Sequence, residues 1–389
     1  MPDLYLVEPA LSSGWAPFQA SRPVAELRAG AWLIRERWEA VAAGTTRAVF
    51  GPPHLLSFVE DGAAAVRPQA PVPGPALVGR SDFAPAGVAP ELPPSPARLV
   101  NDEVVVGWWV PPGATWKAGV DFPDAVEIEG VLLHGAFDLI TALEDLLAGD
   151  VADFQHERAD AIPDGSVVLG DPEAVVLLGA AVEPGVVFDV RHGGIVIEQH
   201  AQVRHGARLV GPVYVGPGTE VLGGSIQASA FGPRCKVRGE IAESVFLGYA
   251  NKQHDGFLGH SVVGRWVNLG AATNTSDLKN TYGPVRLVIG AERIETGLQF
   301  LGTLIGDHAK TAIGTLLPTG AVVGVAANVF GSANAAKTTP PFAWGTGGER
   351  MTLDGFLTIA RRVMPRRRVQ VTDAVVTMLT DVYHHAGAP

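Results

Sequence analysis

The sequence predicts an α/β domain, then a parallel β-solenoid, then a short helical tail. Three observations predict it. The first is a step of six: Ile197, Val203, Leu209, Val215 and Val221 are evenly spaced, Phe257, Val263 and Leu269 keep the step, and so do Ile305, Thr311, Leu317, Val323 and Val329. The second is a glycine directly after the aliphatic residue, as in Val215-Gly216, Val263-Gly264, Leu269-Gly270, Ile305-Gly306 and Val323-Gly324. The third is a change of texture on either side of the repeats. A six-residue unit is a short strand plus a corner, with its aliphatic residue inside a prism and a small residue relieving the turn. Coils then hydrogen-bond at the strand spacing of about 4.8 Å. A sandwich of alternating strands would not hold a step of six over so many units.

Taken in order, Leu4 to Val7 reads as a strand, and Ala25 to Ala43 as a helix with apolar spacing at Leu27, Trp32, Leu33 and Trp38. Residues Pro68 to Pro96, rich in Pro, Ala and Gly, read as loop. ARLVNDEVVVGWWV is strand-like, and FDLITALEDLLAGDVADF is a second helix expected to end near Gly149. These elements place an α/β domain over residues 1–155, and the repeats occupy about 165–333. GSANAAKTTPPFAWGTGG reads as a linker to a tail over 349–389, where Thr352 and Thr372 stand as N-caps of two helices.

Composition narrows the function classes. Of 389 residues 47% are hydrophobic and 18% charged, with 47 glycines, 30 prolines and five tyrosines, which favours repeat packing or oligomer burial over a large polar surface. The net charge of −11 argues against nucleic acid and anionic membranes as partners. A single cysteine, Cys235, rules out a disulfide framework and fits a reducing compartment. No stretch approaches the ~20 apolar residues of a membrane span, and MPDLYLVEPALSS lacks the basic region of a signal peptide. The expectation is a soluble cytoplasmic protein.

The stretch from Glu240 to Tyr282 carries the most chemistry. It sets His254 among small and amide side chains inside the repeats, which suggests a group-transfer site on a solenoid. An imidazole with an ordinary pKa of about 6.5 accepts a proton from an amine at neutral pH. Gly270-Ala271-Ala272 lets a backbone approach a ligand closely and offer N–H groups to an oxyanion. A hydrogen-bonded corner histidine is the alternative for His254.

These residues also carry a resemblance. The repeats look like a left-handed parallel β-helix of the hexapeptide acyltransferase kind. HDGFLGHSVVGRWVNLGAAT resembles the acetyltransferase half of the bifunctional glucosamine-1-phosphate acetyltransferase/N-acetylglucosamine-1-phosphate uridylyltransferase family, which carries a pattern like H-L-S-Y-L-G-D-A-x-I-G-x-x-V-N-I-G-A-G-T. The resemblance implies His254 as catalytic base, Phe257 in place of a sugar-contacting tyrosine, and Asn268 and Glu240 at substrate-binding positions. It departs where Ala242 replaces a lysine, where Asp277-Leu278 replaces an asparagine-tyrosine pair, and where an upstream arginine falls among Gly223, Gly224 and Ser225. Lys252 and Lys279 are candidates for the missing positive charge toward a sugar phosphate. The family further implies acetyl-CoA as cosubstrate and a homotrimer with its crevice between subunits. Lys310 or the tail arginines Arg361, Arg362, Arg366, Arg367 and Arg368 are candidates for the phosphates of coenzyme A, with a solvated helix end as the plainer reading of the arginines.

In the first half, PFQASRPVAELRAGAWLIRERWEAV resembles the opening of sugar-1-phosphate nucleotidyltransferases, most closely the divergent, alternative members of the same bifunctional family. The fold class implied for the whole chain is therefore a nucleotidyltransferase-like α/β domain, a left-handed parallel β-helix and a helical C-terminal tail. Such an enzyme needs cations and backbone N–H groups around the NTP phosphates and a carboxylate for Mg²⁺. Arg22 and Arg28 are the candidate nucleotide-binding cations and Asp102 the candidate Mg²⁺ ligand. The glycine-rich turn is absent, with Ser12-Ser13-Gly14-Trp15 in its place.

The remaining histidines have plainer readings. His200 and His205 share a spacing with hexapeptide-fold zinc lyases, but residues 160–170 hold no third imidazole. His192, His260 and His308 read as surface or corner residues. Three hypotheses follow: a bifunctional enzyme that N-acetylates glucosamine-1-phosphate and then forms UDP-N-acetylglucosamine from UTP; an amino-sugar acyltransferase with an inactive first domain; and a non-catalytic trimeric solenoid.

Overall fold

The computed structural model describes residues 2–154 and 160–386; the expected domain boundary at 155 lies outside them, as do residues 387–389 of the tail. The first domain is built on strands β1 (Asp3–Val7), β2 (Thr46–Phe50), β3 (Val66–Arg67), β4 (Ala76–Arg80), β5 (Ala97–Asn101), β6 (Val104–Val110) and β7 (Asp124–Glu127). They form one sheet in the order β7-β5-β6-β4-β1-β2-β3. Strand β1 runs parallel to both neighbours, β2 and β4, while β6 is antiparallel to β4 and β5. Leu4 and Leu6 of β1 are fully buried, as the apolar alternation of LYLV requires.

Three sequence expectations change here. The helix expected from Ala25 begins only at Ile34: Val24–Glu26 is a 3₁₀ turn, Arg28–Ala29 pairs with Trp32–Leu33 as a two-stranded ribbon, and α1 spans Ile34–Ala42. Glu36 marks that start by accepting the Leu33 N–H at 2.8 Å. The segment expected as loop supplies β4, the central strand of the sheet. Its proline and glycine content hid a short strand whose Gly79 is needed because a Cβ there would stand 2.5 Å from the Trp38 indole. Helix α2 (Leu143–Phe154) runs through Gly149. Its last turn is held by burial of Val151 and Phe154 and by the Asp150–Arg37 pair at 2.5 Å.

The repeats form a parallel solenoid with three ladders, one per side. On the first side Val187–Asp189, Arg208–Val210, Ser225–Gln227, Glu240–Ala242 and Phe257–Gly259 follow one another. On the second, Ile195–Ile197 leads through Val213–Val215 and Val262–Val263 to Thr303–Ile305 and Ala321–Val323. On the third, Gln202, Glu220, Lys236, Asn251, Asn268, Lys310 and Asn328 align. The residues of the six-step pack into the prism: Ile197, Val203, Leu209, Val215, Val221, Val263 and Val323 are all fully buried. Phe257 is the exception, since Leu258 fills the interior position and the Phe257 ring is half-exposed. One corner is a column of left-handed residues, among them His200, Gly218, Arg234, Tyr249, Trp266 and His308. Between Asn274–Thr275 and Thr303 the chain leaves the prism and forms a hairpin, Arg286–Ile289 with Glu292–Glu295.

The expected linker instead supplies further ladder strands, Thr338–Thr339 and Ala343–Trp344, around the buried Phe342 corner. Tail helices α3 (Leu353–Val363) and α4 (Asp373–His385) start where the sequence places them. The Thr352 hydroxyl accepts the Gly355 N–H at 3.2 Å and the Thr372 hydroxyl the Val375 N–H at 3.4 Å. On the second side the outward residues Tyr214, Ala230, Val245 and Leu304 are also buried, in the same apolar cluster as Trp38, Leu147, Phe356 and Leu379. The α/β domain and the tail thus cover that side of the prism.

Candidate active site

His254 lies at the end of the third side, just before the Gly256 corner. The turn is made by Gly256 at φ +137, where a Cβ would meet the Thr273 carbonyl at 2.3 Å, so only glycine lets the coils stack this closely. Leu269 donates to the Asn251 carbonyl at 2.8 Å and Ala272 to that of Asp255 at 3.1 Å. The His254 strand is therefore seated on the Gly270-Ala271-Ala272 coil. The imidazole is exposed, and among the described residues no group hydrogen-bonds its ring. A histidine with a solvent-facing ring and no structural partner is free to take a proton from a ligand.

Around it the structure assembles several of the expected residues. Asn268 lies one coil below Asn251, whose amide donates to its side-chain oxygen at 2.8 Å. Past the corner, Phe257 stands in register with the exposed Glu240, and its N–H is held by the Asn274 side chain at 2.8 Å. Asn274 is a member the sequence reading missed; its signal was its place in the amide-rich NTS segment.

Lys252 takes a different place from the one expected. It pairs with Val237 in the third ladder and so fills an interior, normally aliphatic position. Its ammonium, 2% exposed as a residue, donates to the carbonyls of Arg238, His254 and Gly256 at 3.0, 3.1 and 2.8 Å. Burial pulls its pKa down to about 8. Lys252 therefore ties together the turn that carries His254. Lys252→Met keeps the volume and removes the ammonium's three hydrogen bonds, so amide exchange across Gln253–Phe257 is expected to accelerate in Lys252→Met while that of Val213–Val215 stays slow. Lys279 lies in the excursion and donates to the Pro284 carbonyl at 2.7 Å, away from His254 in the ladder.

The other histidines divide by surroundings. His260 sits at a corner between Glu243 and Asp277, 2.8 Å from each. Burial lowers its pKa, but hydrogen bonds to the two carboxylates outweigh it and hold the ring at about 9. Stability from this raised pKa is full below the unfolded value of about 6.5 and is lost as pH rises through about 9. His260→Gln is expected to flatten that slope in urea melts between those limits. His308 is a corner residue, as expected, but a buried one, packed under Phe356 and beside Trp266, and burial pushes its pKa down to about 3. His200 is exposed on the left-handed corner, and His205 meets the Pro184 carbonyl at 2.8 Å. Among the described residues no three His, Cys, Asp or Glu side chains are gathered for a metal ion.

In the α/β domain the candidate cations turn inward. Arg22 is 2% exposed and spans two carboxylates, Glu60 at 2.8 Å and Asp307 of the solenoid at 2.8 Å. Glu60 also binds Arg265 at 2.5 Å, and Asp307 also accepts from Ser21. Arg28 is buried with its guanidinium over the Tyr214 ring and bonded to the Ala31 carbonyl. At the carboxyl end of β1 the sheet places Glu8, unremarked in the sequence although it directly follows LYLV. It accepts the Val24 and Ala25 N–H groups at 2.6 and 3.1 Å, and burial pushes its pKa up to about 7. At the end of β4, Asp82 is held by Arg80 at 2.7 Å. Asp102 sits at left-handed φ in the exposed β5–β6 turn, three strands from β1 in the sheet. Its neighbour Glu103 is also exposed at left-handed φ, and among the described residues no group of three His, Cys, Asp or Glu side chains gathers there. The loop after β1 lines a cleft of about 760 Å³, bounded also by Ile289, Val322, Pro340 and Pro341.

Comparison with known proteins adds to this geometry. Residues 4–158 match the family model described as sugar nucleotidyl transferase. A stretch of 91 residues is 31% identical to a bifunctional sugar-1-phosphate nucleotidylyltransferase/acetyltransferase of Sulfurisphaera tokodaii, covering 23% of each chain. A stretch of 85 residues is 31% identical to the bifunctional protein GlmU of Methanocaldococcus jannaschii, covering 22% of this chain and 21% of the relative. The matched stretches thus span less than a quarter of either relative. These matches support the resemblance that the sequence motifs carry.

Proposed function

We propose that the chain is a transferase of sugar-nucleotide synthesis whose solenoid acetylates the amine of glucosamine-1-phosphate with acetyl-CoA. The observation that carries the proposal is the His254 ring: exposed, without a hydrogen-bond partner among the described residues, and presented by a turn that Lys252 holds from beneath. In this reading His254 takes the proton as the neutral amine attacks the thioester carbonyl. The nitrogen–acyl bond forms, the carbon–sulfur bond breaks, and coenzyme A leaves as thiol. Asn268, Asn274, Glu240 and Phe257 orient the sugar, and backbone N–H groups near Ala271 receive the oxyanion. The α/β domain would then use UTP to give UDP-N-acetylglucosamine and pyrophosphate, with Mg²⁺ supplied together with the nucleotide; cytoplasmic placement is part of the same reading.

The surface fits association of several copies. Ile313 is 80% exposed, and Leu316, Phe330 and Trp344 are also exposed on the coils that follow His254. Large apolar side chains exposed on neighbouring coils are what a subunit contact would cover. In a trimer that contact would close the crevice beside His254. Ile313→Glu is expected to weaken association at least about tenfold in sedimentation equilibrium and to reduce acetyl transfer with it.

A second reading is favoured by the α/β domain itself. Arg22 is consumed by Glu60 and Asp307, Glu8 occupies the Val24 and Ala25 N–H groups, and among the described residues no three His, Cys, Asp or Glu side chains gather at Asp102. These observations favour an acyltransferase whose first domain is structural. A coupled assay separates the readings: purified protein, acetyl-CoA and glucosamine-1-phosphate, with and without UTP and Mg²⁺, following thiol and pyrophosphate separately. Both products support the bifunctional enzyme, and thiol alone supports the second reading. Neither product, from an intact oligomer that binds no acetyl-CoA, leaves the non-catalytic solenoid.

A further inference from the structure

At the other end of the third side, away from His254, lies a polar groove of about 580 Å³. Its walls come from two distant segments: the solenoid corner with His200, Arg234 and Lys236, and the turn Met364–Arg367 with Arg368, which joins the tail helices. The turn is fixed in place, since Arg234 donates to the Arg367 carbonyl at 3.3 Å and Arg368 closes it at left-handed φ. Four guanidiniums, Arg234, Arg366, Arg367 and Arg368, and the Lys236 ammonium therefore line one groove.

The charge there is uncompensated. Among the described residues Glu220 is the one carboxylate in the lining, and it is already bound to Lys236 at 2.8 Å. Among the described residues none of the four arginines forms an ion pair, and the buried Arg367 Nε has no hydrogen-bond partner. Like charges gathered in a concave, partly desolvated site repel one another, and an anion relieves that repulsion. The planar fork of arginine suits phosphoryl oxygens in pairs. The volume is that of a small-molecule site, and the net charge of −11 opposes a long polyanion.

We infer that this groove binds the phosphoanhydride group of a small ligand, carried either by inorganic polyphosphate or by a nucleotide. Arg366, Arg367 and Arg368, which the resemblance offers as coenzyme A contacts, line this groove at the left-handed corner of Arg234, whereas His254 precedes the Gly256 corner.

The test is titration calorimetry of the full chain with sodium tripolyphosphate and, separately, UTP without metal, at two salt concentrations. Wild-type protein is expected to bind tripolyphosphate, more weakly at the higher salt. Arg234→Gln combined with Arg367→Gln should raise Kd at least about tenfold, and Arg367→Lys should weaken binding despite keeping the charge. His254→Ala should bind as wild type does. Melting curves show whether the double variant is folded; if it melts early, Arg366→Gln with Arg368→Gln, both at exposed positions, takes its place. Of the binding that these substitutions remove, equal affinity for the two probes assigns the groove to inorganic polyphosphate, and tighter UTP binding assigns it to a nucleotide. Absence of binding at millimolar tripolyphosphate, or unchanged affinity in the folded double variant, overturns the inference.

Discussion

Replacing His254 with alanine is expected to lower the rate of acetyl transfer by about 10²- to 10⁴-fold, the range typical for losing a general base. The melting temperature should not move, because the ring is exposed and hydrogen-bonds to no group among the described residues. The backbone carbonyl of residue 254 still accepts the Lys252 ammonium, so the turn persists. Loss of activity with an unchanged melting curve is the signature of a chemical role. A variant that keeps its activity would return His254 to an ordinary solvated side chain. The effect should fall on kcat more than on KM, since the sugar is held by Asn268, Asn274, Glu240 and Phe257 in the proposed complex.

Replacing Asp307 with alanine is expected to cost about 3–5 kcal/mol of stability, the usual penalty for removing one partner of a buried ion pair. Asp307 serves three donors: Arg22 Nε at 2.8 Å, the Ser21 hydroxyl at 2.9 Å and the Arg265 N–H at 2.7 Å. All three would remain buried without it, and Arg22 would keep only Glu60. Denaturant unfolding followed by tryptophan fluorescence measures the loss. Arg47→Ala is the control: its pair with Asp3 is exposed, and the midpoint should stay where it is. If Asp307→Ala leaves the midpoint unchanged, the α/β domain is held to the solenoid by its apolar contacts alone. The same variant leaves Arg22 with Glu60 alone, so a gain of nucleotide binding in Asp307→Ala would show that the Asp307 pair masks a competent cation.

Much of the fold was legible because its signals are local. The step of six depends only on which residue points into the prism, so Ile197 to Val221 and Ile305 to Val329 declare it without reference to anything distant. The two tail helices were equally readable, because a cap joins Thr352 to Gly355 and Thr372 to Val375 across three residues. Elements were missed where a distant partner sets the structure. Strand β4 reads as loop until Trp38 lies against Gly79. The ribbon before α1 reads as helix because its apolar spacing is helical, while Asp150 accepts the Ala31 N–H from far along the chain.

The candidate site divides along the same line. The sequence by itself determined that His254, Asn268 and Phe257 lie on neighbouring coils, because stacking repeats convert sequence period directly into spatial adjacency. What only the tertiary structure decided is the state of the charges. Lys252 is a buried prop rather than a surface cation, Arg22 is spent on a carboxylate 285 positions away, and Arg234 meets the tail arginines. A charged side chain carries no period, and the same residue is a ligand-binding group in water and a structural one when its partners desolvate it. Which it becomes depends on contacts between segments far apart in the chain, and those exist only once the domains have packed.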